Sequence, residues 1–211
     1  MSVKRKSAFF FHPLIVTVVG LVTLLSCIRS NDAGGKFRED LPLQQLSDGD
    51  LLFRCGTSVE SQIVMHFDSV DSEYSHVGLA VNEGGRWMVV HAVPGESIDG
   101  VDRVKVEPVD SFFMTSRAEH GAAMRLKGYE AKVARRAAEY ALAKCGTLFD
   151  HRYRWRDTTR IYCTQLIDMA YRSAGVDLLG NDLRSSLQIP GTIIFPGDFI
   201  RRDSLTTVFS F

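Results

Sequence analysis

One thiol and two imidazoles carry the reactive chemistry of this 211-residue chain. Cys163 follows Arg160-Ile161-Tyr162 and opens a helical pattern in which Leu166, Ile167, Ala170, Tyr171 and Ala174 share a face and Gly175 closes the run. Amides in the first turn of a helix lack intrahelical acceptors, and the dipole there favours negative charge. A thiol in that position is expected to have a depressed pKa and to react as the thiolate. The same amides can receive the oxyanion formed when sulfur attacks a carbonyl. His76 and His91 lie on two β-rich runs, residues 75–81 and 86–93, around the hairpin signal Asn82-Glu83-Gly84-Gly85. An even-numbered loop pairs Val81 with Arg86, Leu79 with Met88 and His76 with His91, which sets the imidazoles side by side. An odd loop sends them to opposite faces. Gly78 and Ala80 share the face of His76 and leave room for an approaching group. A helix-start cysteine, a histidine base and a polar group that orients it are the parts of a cysteine hydrolase.

The remaining candidates weigh less. His76, His91 and Cys163 are all competent zinc ligands, but no fourth ligand or short-spaced motif accompanies them, so neither a metal nor a cofactor is expected. His66 and His120 read as ordinary polar side chains, His151 as a residue able to edge the cleft, and Asp50 as a turn-former. There are 4 cysteines and no CxxC pair. Cys55 and Cys145 read as small buried apolar residues, with a disulfide between them left open.

The elements that must position these groups follow from periodicity. Gly49-Asp50-Leu51-Leu52-Phe53-Arg54 is a turn entering a short strand. Val59, Ile63, Val64 and Phe67 have helical spacing, with Ser58 as N-cap. Residues 101–109 alternate as a third strand, with Val104 and Val106 against Lys105 and Glu107, and residues 122–126 suggest a fourth. Residues 130–144 form a helix with Val133, Ala137, Tyr140 and Ala141 on one face and Gly146 after its end. Residues 146–160 read as loop, and the tail as mostly loop with one short strand near 192–195. Clustered strands with flanking helices indicate an α+β domain.

Composition bounds the function. Lys+Arg and Asp+Glu both number 25, and 45% of residues are hydrophobic. That excludes a disordered tail protein and a nucleic-acid binder working through bulk basicity. At the N-terminus, Lys4, Arg5 and Lys6 precede an apolar stretch over residues 8–25. A basic start followed by an apolar run is the pattern of a secretory signal. Leu24-Leu25-Ser26-Cys27 resembles the bacterial lipoprotein signal, which implies that Cys27 is the first mature residue and carries acyl chains. The run is also long enough for an uncleaved membrane helix. Either way the rest of the chain lies outside the cytoplasm. We therefore expect a signal peptide over 1–26, a lipidated tether over 27–45 and one catalytic domain over 46–211, held at the cell envelope by its N-terminal lipid.

Several segments together resemble a known family. Ser75-His76-Val77-Gly78-Leu79-Ala80-Val81 and Val89-Val90-His91-Ala92, preceded by Gly49-Asp50-Leu51-Leu52-Phe53, are similar to the histidine region of NlpC-type cell-wall cysteine peptidases, which have a papain-like fold. In most members the cysteine precedes this region. Here Ile161-Tyr162-Cys163-Thr164-Gln165-Leu166 follows it, as in the circularly permuted YiiX/YebB-like branch. Gly146-Thr147-Leu148-Phe149-Asp150 and Ile193-Ile194-Phe195-Pro196-Gly197-Asp198 also resemble that branch. The resemblance implies a permuted papain-like fold with a small antiparallel sheet flanked by helices. It further implies Cys163 as nucleophile, His76 as base and His91 as the group orienting His76. It departs from the branch at His91 and Gln165, where Glu is common, and Gln165 is given no catalytic role. The activity implied is amidase or peptidase chemistry on short, cell-wall-derived peptides. Acyl-amide or lipid chemistry on the same fold, and non-catalytic binding, are the alternatives.

Overall fold

The computed structural model describes residues 35–68, 72–181, 193–201 and 203–211. The apolar N-terminal run and the first part of the tether, residues 27–34 with Cys27, lie outside the described residues. From Lys36 onward the chain is joined to the body. Lys36 exchanges two hydrogen bonds with Thr115, one of them to its hydroxyl, and the Arg38 guanidinium donates to the carbonyls of Phe113, Ala118 and Glu119.

Six strands form one antiparallel sheet: β1 (Leu51–Arg54), β2 (His76–Glu83), β3 (Arg86–Val93), β4 (Arg103–Pro108), β5 (Gly121–Leu126) and β6 (Leu205–Ser210). Their order is β4-β3-β2-β1-β5-β6. The short β1 is therefore the spine, flanked by β2 and β5. Alternation along the strands feeds two cores. Leu51, Phe53, Val77, Leu79 and Val90 face one side and pack with the helices α3 (Ala131–Leu142) and α4 (Cys163–Ser173). Leu52, Ala80, Val89 and Ala123 face the other side and meet Val109 and Phe112 of the short helix α2 (Val109–Phe112), together with Phe113. Burial on both faces is the main source of stability for so short a spine.

The helix α1 (Val59–Phe67) is capped by Ser58, whose hydroxyl accepts from the Ser61 amide at 3.2 Å. Its spacing predicts a buried face, yet Val59, Ile63 and Phe67 are exposed and the helix buries none of its residues. The tail also differs from expectation. Residues 193–195 are not strand, and Thr192 lies outside the described residues. The chain then forms α5 (Pro196–Ile200) and the edge strand β6. Pro196 suits a helix first turn, where its missing N–H costs nothing. The strand read over 101–109 stops at Pro108, and Val109 begins α2. Cys145, expected in the core, is exposed, and it and Cys55 are both free thiols, so no disulfide joins them.

Candidate active site

The β2–β3 hairpin turns on Gly84 and Gly85, with φ of +59° and +88°. Positive φ at both central residues is the type I′ geometry that two-residue hairpins favour. Glu83 therefore pairs with Arg86 and Leu79 with Val90, two residues along from the expected register. The slip is even, so His76 and His91 remain on one face, but they are diagonal neighbours rather than directly opposed. Gly78 is what admits His91: a Cβ at Gly78 would lie 3.0 Å from His91 Cβ and 2.5 Å from Val89 Cγ2.

The two imidazoles touch, His76 Nε2 to His91 Nδ1 at 2.8 Å. Behind His91, its Nε2 lies 2.9 Å from Glu107 Oε1 on β4, and among the described residues neither atom has another partner. This order fixes the protons. An ionised Glu107 only accepts, so His91 Nε2 carries the hydrogen and its Nδ1 accepts from His76 Nε2–H. His76 Nδ1 is then the nitrogen left with a lone pair. Glu107 is itself held by Arg117 Nη1 at 2.8 Å and Lys105 Nζ at 3.1 Å. Beside this chain the Arg54 guanidinium stacks over Phe112 and pairs with Glu96.

Burial dominates the protonation of these groups. It pushes His76 well below its ordinary value, reinforced by the Arg54 charge and by His91, against the pull of Glu107. Burial also lowers His91, again opposed by Glu107. Burial alone would raise the Glu107 carboxyl, but His91, Lys105 and Arg117 together hold it well below the usual range. Both imidazoles are thus neutral at neutral pH, backed by a carboxylate.

Cys163 occupies the other wall. It is the first residue of the 11-residue helix α4, with Tyr162 as N-cap. The amides of Thr164, Val77 and Cys163 bear on its sulfur and lower the thiol pKa, but burial outweighs them and pushes it up to about 11. The expected depressed thiol is therefore not the resting state. The helix start supplies the donors, but a neutral His76 supplies no cation to hold a thiolate. Around the sulfur, Thr164 Oγ1 donates to Ile194 O at 2.7 Å, and the Ile194 amide meets Tyr162 Oη at 3.4 Å. Gln165 donates from Nε2 to the carbonyls of Trp155 and Asp157 and accepts from the Tyr162 amide. Its role is to clip the preceding loop to the helix.

A cavity of about 420 Å³ is lined by both His76 and Cys163. Phe149, Tyr153, Ile194 and Phe195 give it an apolar wall, while Arg54, Glu96, Asp102 and His151 give it a charged one. His151 does edge the cleft, 3.1 Å from Asp102. His66 is exposed on α1, and His120 is bonded to a backbone carbonyl outside the cavity. The sequence reading passed over Glu107, Arg54 and Glu96. The charged positions of the 101–109 alternation were the available signal for Glu107, since Lys105 pairs directly with His91 across the β3–β4 ladder.

A family model for the permuted papain-like amidase enzymes, YaeF/YiiX, of the C92 family matches residues 45–209. The chain belongs to this family. It is a cysteine hydrolase of the amidase/peptidase type, built on the permuted papain-like fold. The fold is also that of the crystal structure of metalloprotein yiiX from Escherichia coli O157:H7, with a TM-score of 0.61 and 23% identity over 78% of this chain and 97% of that one. No curated protein matches the chain. Within the family's order, histidine region first and cysteine last, His76 and Cys163, 87 positions apart in sequence, line one cavity.

Proposed function

We propose that this amidase cleaves the amide bonds of short peptides, with Cys163 as nucleophile, His76 as acid–base and His91 orienting His76. The observation that carries this is the ordered line Glu107–His91–His76, which ends at the residue that lines the same cavity as Cys163. The resting pair is thiol and neutral imidazole. His76 Nδ1 takes the Sγ proton as sulfur bonds to the carbonyl carbon, and the carbonyl oxygen becomes an oxyanion received by amides at the start of α4. Glu107 offsets the imidazolium charge that forms two rings away. His76 then gives the proton to the departing amine nitrogen as the C–N bond breaks, leaving a thioester. Water attacks that thioester, losing its proton to His76; the acid departs and sulfur regains its proton.

Cell-wall stem peptides fit the chemistry as substrates. The apolar wall of Phe149, Ile194 and Phe195 favours one second reading, an acyl amide whose chain lies against those side chains. At the N-terminus we read Cys27 as lipidated, so that the enzyme works at the cell envelope, anchored to a membrane and facing the periplasm or exterior. The support is the basic start, the apolar run and the Ser26-Cys27 ending. The mature N-terminal mass would carry acyl chains on Cys27, and Cys27→Ala would release the protein from membranes.

The functional test incubates the wild type and Cys163→Ala with purified cell-wall fragments and, in parallel, with N-acyl amides. Turnover of the peptides, abolished in Cys163→Ala, is the expected result. Turnover of acyl amides alone moves the substrate to the second reading. Full activity in Cys163→Ala overturns the mechanism.

A further inference from the structure

A second cluster of reactive side chains lies outside the cavity. Cys55 follows the last residue of β1, while Glu119 and His120 immediately precede β5, its ladder neighbour. Their ligand atoms, one sulfur, one carboxylate oxygen and one ring nitrogen, all lie within 4.8 Å of one another. We propose that Cys55, Glu119 and His120 form a zinc site, open to water at its fourth position, that joins the end of β1 to the start of β5.

Four features support this independently of the hydrolase chemistry. The first is the mixture of ligand types. Thiolate, imidazole and carboxylate are the groups zinc takes, with bonds of about 2.0–2.3 Å. The second is His120, whose Nε2–H donates to Glu73 O at 2.8 Å. That backbone carbonyl fixes the tautomer and leaves Nδ1 with its lone pair. Metal-bound histidines are commonly oriented in this way. The third is the thiol itself. Cys55 is buried, and its hydrogen finds only weak acceptors, Met65 Sδ at 3.3 Å and Gly56 O at 3.9 Å. Little is lost when a metal replaces that hydrogen. The fourth is charge: Glu119 and Glu73 both bear on Cys55, and among the described residues neither carboxylate has an ion-pair partner. A thiolate there needs a cation.

The backbone already sets the ligands in place. The Cys55 amide donates to His120 O, and the Glu119 amide donates to Cys55 O, each at 3.0 Å. Three ligands from two paired strand ends leave a fourth tetrahedral position for water. Binding releases the thiol proton to solvent and makes one Zn–S, one Zn–N and one Zn–O bond, with no change of oxidation state. The preference for zinc over a softer ion rests on the carboxylate.

The test titrates the reduced, chelator-treated full chain with Zn²⁺, by calorimetry and by thermal unfolding. We expect one zinc per chain and a raised unfolding temperature. Affinity should fall on the order of 100-fold in His120→Ala and in Cys55→Ser, and by less in Glu119→Gln. His120 is partly exposed and outside both cores, so its variant decides the matter even if Cys55→Ser fails to fold. Cys163→Ala should bind zinc as the wild type does, and the zinc-free protein should keep its Cys163-dependent hydrolysis. No one-to-one binding, binding undiminished in His120→Ala, or binding lost in Cys163→Ala would each overturn the proposal.

Discussion

The two walls of the cleft are built on opposite principles. On the histidine wall, three adjacent strands hold His76, His91 and Glu107 in a line by ladder register, and buried charges back that line. On the cysteine wall, one side chain sits at a helix start packed by loops, with amides but, among the described residues, no charged partner against the sulfur. Register fixes the first wall because a strand cannot shift without moving every side chain on it. Loop clips fix the second, and each clip contributes only the worth of a hydrogen bond or two. The histidine wall should therefore fail through its charges and its packing, and the cysteine wall through its clips.

The largest break comes from the end of the line. His76→Ala removes the proton carrier and should lower kcat/KM by about 10²–10⁴ at unchanged fold. His91→Ala leaves His76 present but unoriented and should cost less, on the order of 10²-fold. A reversed order between these two would move the base from His76 to His91.

Glu107→Gln sharpens the comparison through pH. Glu107 is the group that raises both imidazoles against burial, so its neutral replacement lets them fall further. The rate should drop about 10-fold, and the acid limb of kcat/KM should move to lower pH. Stability responds with the same sign in the wild type. As pH falls below about 6.5 the unfolded chain protonates its histidines, and below about 4.3 its glutamates. The folded chain resists at His76, His91 and Glu107, so unfolding binds protons and stability falls with acid. Urea midpoints from pH 7 to pH 4 should decline, and no less steeply between pH 7 and pH 5 in Glu107→Gln, whose imidazoles resist protonation further. A midpoint indifferent to pH would mean that the line of charges is not held in solution.

A smaller break lies in packing. Gly78→Ala puts a methyl 2.5 Å from Val89 Cγ2 and 3.1 Å from Val90 O, against the β3 strand. Overpacking of this kind costs about 1–3 kcal/mol and displaces His91 before it displaces Cys163. Thermal unfolding should show the loss. Iodoacetamide labelling of Cys163, slow at neutral pH for a thiol near 11, should keep its wild-type pH dependence.

These contrasts also explain how far the sequence could be read. Two β-rich runs around the Gly84-Gly85 turn made β2 and β3 legible, and an even loop kept both histidines on one face even though the pairing slipped by two. The helix-start position of Cys163 was legible from the Leu166 stripe and Gly175. Its pKa was not, because the depth of burial is a tertiary property that local pattern does not carry. Glu107 was hidden for a related reason. A charged residue on an alternating strand usually faces water, and here α2 and Phe113 cover that face. The exposed stripe of α1 is the reverse case: helical spacing is present, yet Val59, Ile63 and Phe67 are exposed.

The smallest effect tests the clips. Gln165 is fully buried, and its amide nitrogen donates to Trp155 O at 2.9 Å and Asp157 O at 3.0 Å. Leu at this position removes both donors, at about 1–3 kcal/mol of stability, and loosens the loop that carries Tyr153 into the cavity. Glu at this position also loses the paired donors but can still accept from the Tyr162 amide. Its negative charge suits a helix first turn by about 0.3–1 kcal/mol, which does not offset taking a carboxylate out of water. The buried Glu is therefore expected to hold its proton more tightly folded than unfolded. Folding then binds a proton, so Gln165→Glu should gain stability relative to wild type as pH falls toward 5, whereas Gln165→Leu should track the wild type. Parallel urea-midpoint curves for Gln165→Glu and Gln165→Leu would show that the loop is held by contacts other than this side chain.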